Sequence, residues 1–265
     1  MTSALIDPSS IWSSVSLMLS NTLDLLPPFL IWSACAAAVL CGTVLQKLSG
    51  AGFGMIAAPV MTLVAPEWVP GTVLILGFVI GIGSLLGGRD AVDRSDLPPG
   101  LAGRVVGAVI AAGLATVVVG SNALPLVIAI IVLFAVALTL AGLSIPISPR
   151  NLFIAGVAGG VMGTLSGIGA PPMAILYSTV GARRSAATQN AFFGFGMVVS
   201  IGALTVAGLI RTPQLALAAT LVPFALLALW ASHPLVSRFE RGSIRPWSLG
   251  LATLSAVILL ARSIQ

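Results

Sequence analysis

Two stretches decide the fold: Leu48-Ser49-Gly50-Ala51-Gly52 and Leu165-Ser166-Gly167-Ile168-Gly169 share the pattern Leu-Ser-Gly-x-Gly. They are 117 residues apart. A chain that repeats itself at about half of its length is expected to contain two copies of one structural unit. Both copies lie in apolar, almost uncharged sequence, where Gly-rich interruptions of helices often mark a binding site. The same offset relates two further pairs of glycines, Gly42 with Gly159 and Gly77 with Gly194.

The composition indicates a protein whose surface faces lipid. The 265 residues are 58% hydrophobic and 7% charged, and the mean hydropathy is +1.12. A soluble domain carries about 25% charged residues. Since a spanning helix needs roughly 20 apolar residues, we predict an all-α polytopic membrane protein with about 8–10 transmembrane segments, with the lipid bilayer as its environment.

Ten apolar runs follow one another along the chain, and they divide into two membrane repeats. We predict an N-terminal interfacial segment over 1–29, a first repeat over 30–143 and a second repeat over 152–262. The runs cover approximately 30–47, 49–65, 70–88, 102–120, 123–143, 152–165, 167–181, 187–210, 214–232 and 246–262.

The arginines predict the orientation. Nine of them fall on one side of the membrane and only Arg211 and Arg262 fall opposite, so the Arg-rich loops 89–104, 183–184 and 233–246 are expected in the cytoplasm. Five segments per half, an odd number, predict inverted-topology repeats. The net charge of +5 is spread over single residues and small groups, so a nucleic-acid partner is not expected.

The junction between the runs 152–165 and 167–181 is expected inside the membrane. Each run holds about 14 residues and is therefore about 21 Å long, whereas the hydrocarbon core is about 30 Å thick. By symmetry, the first copy would contain a broken or re-entrant helix as well. Unpaired N–H groups and the helix dipole make such a helix N-terminus an anion site. Close helix packing through small residues is the alternative. The candidate substrate-binding residues are Ser49, Gly50, Ala51, Gly52, Ser166, Gly167, Ile168 and Gly169.

Three polar side chains in apolar runs are further candidates for substrate binding. Lys47, the only lysine, directly precedes the first motif and either attracts an anion or extends to the headgroups. Gln189 and Asn190 either bind a polar ligand or form hydrogen bonds between helices. For Gln46, a hydrogen bond between helices is the favoured interpretation.

Signatures of enzymes are missing from the sequence. The apolar runs contain no His, Asp or Glu cluster with metal-ligand spacing, and neither repeated serine has a basic partner for nucleophilic catalysis. We therefore predict a protein that is not an enzyme and that binds no cofactor and no metal.

The motifs resemble those of the TauE/SafE (TSUP) family of sulfite exporters. The resemblance lies in residues 48–54, followed by Pro59, and in residues 165–172. It implies a multi-pass transporter of the bacterial inner membrane that exports sulfite or an organosulfonate such as sulfoacetate. The second copy departs from the family pattern, because Ala170-Pro171-Pro172 replaces the usual glycines after Gly169.

The prediction is therefore a secondary transporter, an exporter of a small sulfur-containing anion. It would work by alternating access, with the anion bound at the paired broken-helix N-termini. An anion channel and a non-transporting membrane scaffold are the alternatives. A homodimer through Gly/Ala-rich faces is left open.

Overall fold

The computed structural model describes residues 27–86, 88–232 and 245–263. The predicted interfacial segment 1–29 and the loop 233–246 fall almost entirely outside these residues. The regular elements in the described ranges are helical, which confirms the all-α fold. The ten α-helices correspond one to one with the ten apolar runs: α1 Phe29–Ser49, α2 Phe53–Val64, α3 Gly71–Leu86, α4 Leu97–Val118, α5 Ala123–Leu140, α6 Pro149–Ser166, α7 Pro171–Leu176, α8 Ala182–Val206, α9 Thr212–Ala231 and α10 Arg245–Ser263.

Five of the helices, α1, α4, α5, α8 and α9, are long and apolar enough to cross a membrane. Helices α2 and α7 are much shorter, with 12 and 6 residues. At 1.5 Å per residue they extend about 18 and 9 Å, less than the roughly 30 Å of a hydrocarbon core. Each half thus opens with a long helix that is followed by a short one.

The start of α4 corrects one prediction. The polar loop predicted over 89–104 ends early, because α4 begins at Leu97 and Arg104 lies about two turns inside it. Pro98 and Pro99 read as loop residues in the sequence. They occupy the first turn of the helix, where a missing N–H removes no hydrogen bond.

Equivalent helices of the two halves make equivalent contacts. Helix α4 packs on α6 and α8, and its counterpart α9 packs on the equivalent helices α1 and α3. Helices α3 and α8 contact each other, as do α5 and α10. These pairings are those required by a two-fold axis between two copies of one unit, which supports the duplication seen in the sequence. The orientation of the axis in the membrane remains a prediction.

Glycines allow the two halves to approach closely where α4 crosses α6. A Cβ on Gly107 would lie 2.9 Å from the Cα of Gly160, and a Cβ on Gly156 would lie 3.1 Å from the Cα of Gly103. Small residues at a helix crossing are the usual means of close packing in membranes. This contact places Arg104 between the first half and the second.

Candidate functional site

The two Leu-Ser-Gly-x-Gly motifs end a helix in the same way. Helix α1 ends at Gly50 with φ 74° and ψ −3°, and α6 ends at Gly167 with φ 77° and ψ 2°. A residue with a side chain would cost about 1–2 kcal/mol in this left-handed conformation. The N–H of Gly50 donates to Gln46 O at 2.8 Å, and that of Gly167 donates to Gly163 O at 2.7 Å. We call residues 50–52 the first break and residues 167–170 the second break.

The serine hydroxyls hold each break together. Ser49 Oγ donates to Leu45 O at 2.8 Å, and Ser166 Oγ donates to Met162 O at 2.7 Å. Ser166 Oγ also accepts the N–H of Ile168 at 3.2 Å. Both predicted binding serines therefore make hydrogen bonds to the backbone of the motif itself.

The second break lies against the start of α2, and the first break lies against α8. A Cβ on Gly54, at the start of α2, would lie 2.8 Å from the carbonyl carbon of Gly167 and 3.2 Å from the Cα of Ile168. A Cβ on Gly50 would lie 3.3 Å from the Cβ of Gln189. The tertiary structure thus brings together both motifs and one of the predicted amides.

The N–H groups of the first break are occupied by a side chain. Gln46 Oε1 accepts hydrogen bonds from Gly52 N at 3.0 Å and Phe53 N at 3.2 Å. Gln46 Nε2 donates to Gly50 O and to Asn190 Oδ1, both at 2.9 Å. The fully buried Gln46 therefore caps α2, and Asn190 forms a hydrogen bond between helices, as one of its two interpretations predicted.

The second break lacks such a cap. Gly163 stands at the position equivalent to Gln46 and has no side chain. Within the described part of the chain, the N–H groups of Gly169 and Ala170 donate no hydrogen bond. The next two residues are prolines and have no N–H. The two breaks begin with the same left-handed glycine but differ in the donors that they leave free.

Arg104 fills the space beside the second break. Its side chain is buried, with 3% exposure, and its Nη1 donates to Gly159 O. A Cβ on any of four surrounding glycines would lie within 3.2 Å of the guanidinium group. Sequence reasoning assigned Arg104 to a loop, although the apolar run drawn over 102–120 already contained it. We call the four residues the glycine cluster: Gly159, Gly163, Gly169 and Gly196.

A small cavity borders Arg104. Its volume is about 10 Å³, about the space of one water molecule. Gln189 lines it together with Met173 and Phe192. Gln189 Nε2 donates to Ser185 Oγ at 2.9 Å, whereas its Oε1 is buried without a partner.

Lys47 does not line this cavity. It is half-buried, and its Nζ donates to Gly83 O at 3.4 Å. In the described ranges, no group of three or more His, Cys, Asp or Glu side chains could hold a metal ion.

The loop before α4 is fastened to the start of α8 by ion pairs. Arg183 pairs with Asp90, and Arg184 pairs with Asp93. The hydrogen bond from Arg184, together with one from Ser95, lowers the pKa of Asp93 below its usual range. The two arginines, which were expected to set the topology, thus also anchor this loop.

The comparison with protein families agrees with this architecture. The model of the family described as Sulfite exporter TauE/SafE matches residues 34–259. The chain belongs to the TauE/SafE family. The match spans both breaks and Arg104, and it confirms the resemblance read from the two motifs. Membership in TauE/SafE makes this chain a multi-pass membrane protein of a transporter family. No curated protein and no solved structure is significantly similar to it.

Proposed function

We propose that the chain is a secondary transporter that exports a small sulfur-containing anion, such as sulfite or an organosulfonate, by alternating access. The observation that carries the proposal is the contact between the second break and the start of α2, the helix that follows the first break. Broken helices that meet between repeats form the substrate sites of many secondary transporters. Irregular backbone at membrane depth is tolerated where it is buried or lines a cavity.

The charges support an anion as the ligand. Arg104 lies beside the second break, and no carboxylate is buried among the residues that the structure describes. Movement of one half against the other would open the space between the breaks to one side of the membrane at a time. Membership in the TauE/SafE family supports sulfur oxyanions as the substrate class.

The test is counterflow in proteoliposomes that contain the purified chain. Vesicles loaded with unlabelled sulfite are expected to accumulate external labelled sulfite transiently, because a carrier exchanges its substrate across the membrane. Parallel vesicles loaded with sulfoacetate, taurine or chloride compare the substrate classes. Flux without counterflow or saturation would favour a channel, and no flux with any of these anions would favour a scaffold.

A matched pair of variants tests the role of the second break. Gly167 and Gly120 both have a positive φ, of 77° and 82°, so alanine causes comparable backbone strain at the two positions. An added Cβ contacts Val73 at Gly167 and meets open space at Gly120. Gly167→Ala is expected to abolish counterflow, whereas Gly120→Ala retains it. Equal activity in the two variants would contradict the placement of the site.

A further inference from the structure

Arg104 carries the strongest unexplained feature of the molecule. It is the one charged side chain that is buried among the described residues, and it lies in a helix long and apolar enough to span a membrane. Neither ion pair of the described chain involves it. A charge at such a position is costly, so it normally has a partner or a function. The protein supplies one carbonyl oxygen, that of Gly159, and no counter-charge.

The guanidinium has two donors left over. Nη1 is bound to Gly159 O, whereas Nε and Nη2 are buried without a partner. These two N–H groups form the side-on fork of an arginine, which matches two oxygens of one oxyanion. A buried donor without a partner is destabilising. Two oxygens of one anion would satisfy both donors and supply the counter-charge.

The asymmetry between the halves places this ligand near the second break, on the side of Arg104 where Nε and Nη2 face Gly196 and Gly163. In the first half, Gln46 fills the space beside the break and takes its N–H groups. In the second half, Gly163 leaves that space to Arg104, and the N–H groups of Gly169 and Ala170 remain free. Gln189 lines the same cavity with an unpartnered amide oxygen. The side-chain amide of Gln189 can also be rotated so that Nε2 takes the place of Oε1, because Ser185 Oγ can donate a hydrogen bond as well as accept one.

We infer that Arg104 is the anion-binding residue of the transport site and that the site takes a compact inorganic oxyanion, such as sulfite, in preference to an organosulfonate. This inference rests on the proposed function. One buried positive charge matches an anion whose charge is concentrated on one centre. Taurine also carries an ammonium group, and no buried carboxylate in the described residues could pair with it. Sulfoacetate carries its second negative charge on a separate carboxylate, and no second charged side chain is buried among the described residues to pair with that group.

The position of Arg104 also links binding to movement. Arg104 belongs to the first half, and the glycine cluster around it belongs to the second. The cavity holds about 10 Å³, the space of one water, so an oxyanion fits only when the halves separate at this contact. That separation is the movement that alternating access requires.

The experiment measures anion affinity of the detergent-purified full chain by calorimetric titration. Sulfite, sulfate, phosphate, sulfoacetate, taurine and chloride are compared. Arg104→Lys keeps the charge and removes the fork, whereas Arg104→Met removes both. The same two changes at the exposed Arg94 are the controls. We expect the Kd for sulfite to rise about tenfold or more in Arg104→Lys, further in Arg104→Met, and to stay unchanged in both Arg94 variants.

Two results would overturn the inference: sulfite binding that is unchanged in Arg104→Lys, or a parent chain that binds none of the compact oxyanions. If the Arg104 variants fail to fold, a structure of the unmodified chain with bound selenite tests the inference instead. Two selenite oxygens are expected within hydrogen-bond distance of Nε and Nη2, and selenite bound elsewhere refutes the assignment. Counterflow distinguishes the transport proposal from the binding proposal. If vesicles with the unmodified chain show no flux, transport is contradicted even when sulfite binds at Arg104.

Discussion

At the scale of single residues, the glycine cluster determines where the guanidinium of Arg104 can lie. A methyl group on Gly163, Gly169 or Gly196 would collide with the guanidinium, and one on Gly159 would lie 3.2 Å from Nη1. At Gly163 and Gly196 the nearest atoms belong to the end of this flexible side chain, whereas at Gly159 and Gly169 a backbone carbonyl oxygen would be hit as well. An alanine at Gly163 or Gly196 would therefore displace Arg104 without separating the helices.

Gly196 and Gly202 offer a matched test on α8. Gly196→Ala is expected to weaken sulfite binding about tenfold or more, because the added Cβ displaces the guanidinium and its hydrogen bonds to the anion. Gly202 faces open space, and alanine there is expected to raise helix stability by up to about 1 kcal/mol without changing binding. Titration and thermal unfolding of both variants check this. Equal affinities would show that the position of Arg104 does not matter for binding.

At the scale of helices, the crossing of α4 and α6 depends on the absence of side chains. A Cβ on Gly107 would lie 2.9 Å from both the Cα of Gly160 and the carbonyl carbon of Val157. These are backbone atoms, which cannot rotate away as a side chain can. The helices themselves would have to move apart.

Gly107→Ala is therefore expected to destabilise the protein by about 1–3 kcal/mol, the usual effect of overpacking. Gly113 lies on the same helix and faces open space, so Gly113→Ala is the control and is expected to be neutral or stabilising. Thermal unfolding of the two purified variants compares them. A Gly107→Ala variant as stable as Gly113→Ala would mean that the crossing is looser than described.

At the scale of the whole molecule, the equivalent helix pairings support two copies of one unit, and the arginine distribution predicts that the copies are inverted. Equivalent loops must then lie on opposite sides of the membrane. The loop between α3 and α4 is equivalent to the loop between α8 and α9. Ser95 lies in the first, and Thr212 directly follows the second; both are exposed.

Single cysteines at these positions test the inversion. In a background without Cys35 and Cys41, Thr212→Cys is expected to react with a membrane-impermeant maleimide on intact cells. Ser95→Cys is expected to react only after permeabilisation, because its loop is predicted to be cytoplasmic. Labelling of both from the same side would rule out inverted repeats, and the reverse pattern would show that the orientation is wrong.

The sequence by itself determined the fold class, the ten helices and the position of both breaks. The low share of charged residues indicates a surface that faces lipid. The repeated Leu-Ser-Gly-x-Gly is a local signal, because Gly50 and Gly167 each donate a hydrogen bond to the carbonyl four residues earlier in the helix that they end. Family membership was likewise readable from these motifs. Local patterns of this kind need no knowledge of which helices pack together.

Only the tertiary structure decided which break has N–H groups without an acceptor. Gln46 closes the first break. Arg104 lies beside the second break and is 55 residues away in sequence from its hydrogen-bond acceptor, Gly159. Pro98 and Pro99 made Arg104 look like a loop residue, because a proline pair marks a turn as readily as the first turn of a helix. Its burial follows from the packing of α4 against α6. That contact joins the two halves and is therefore not encoded in any local stretch of the chain.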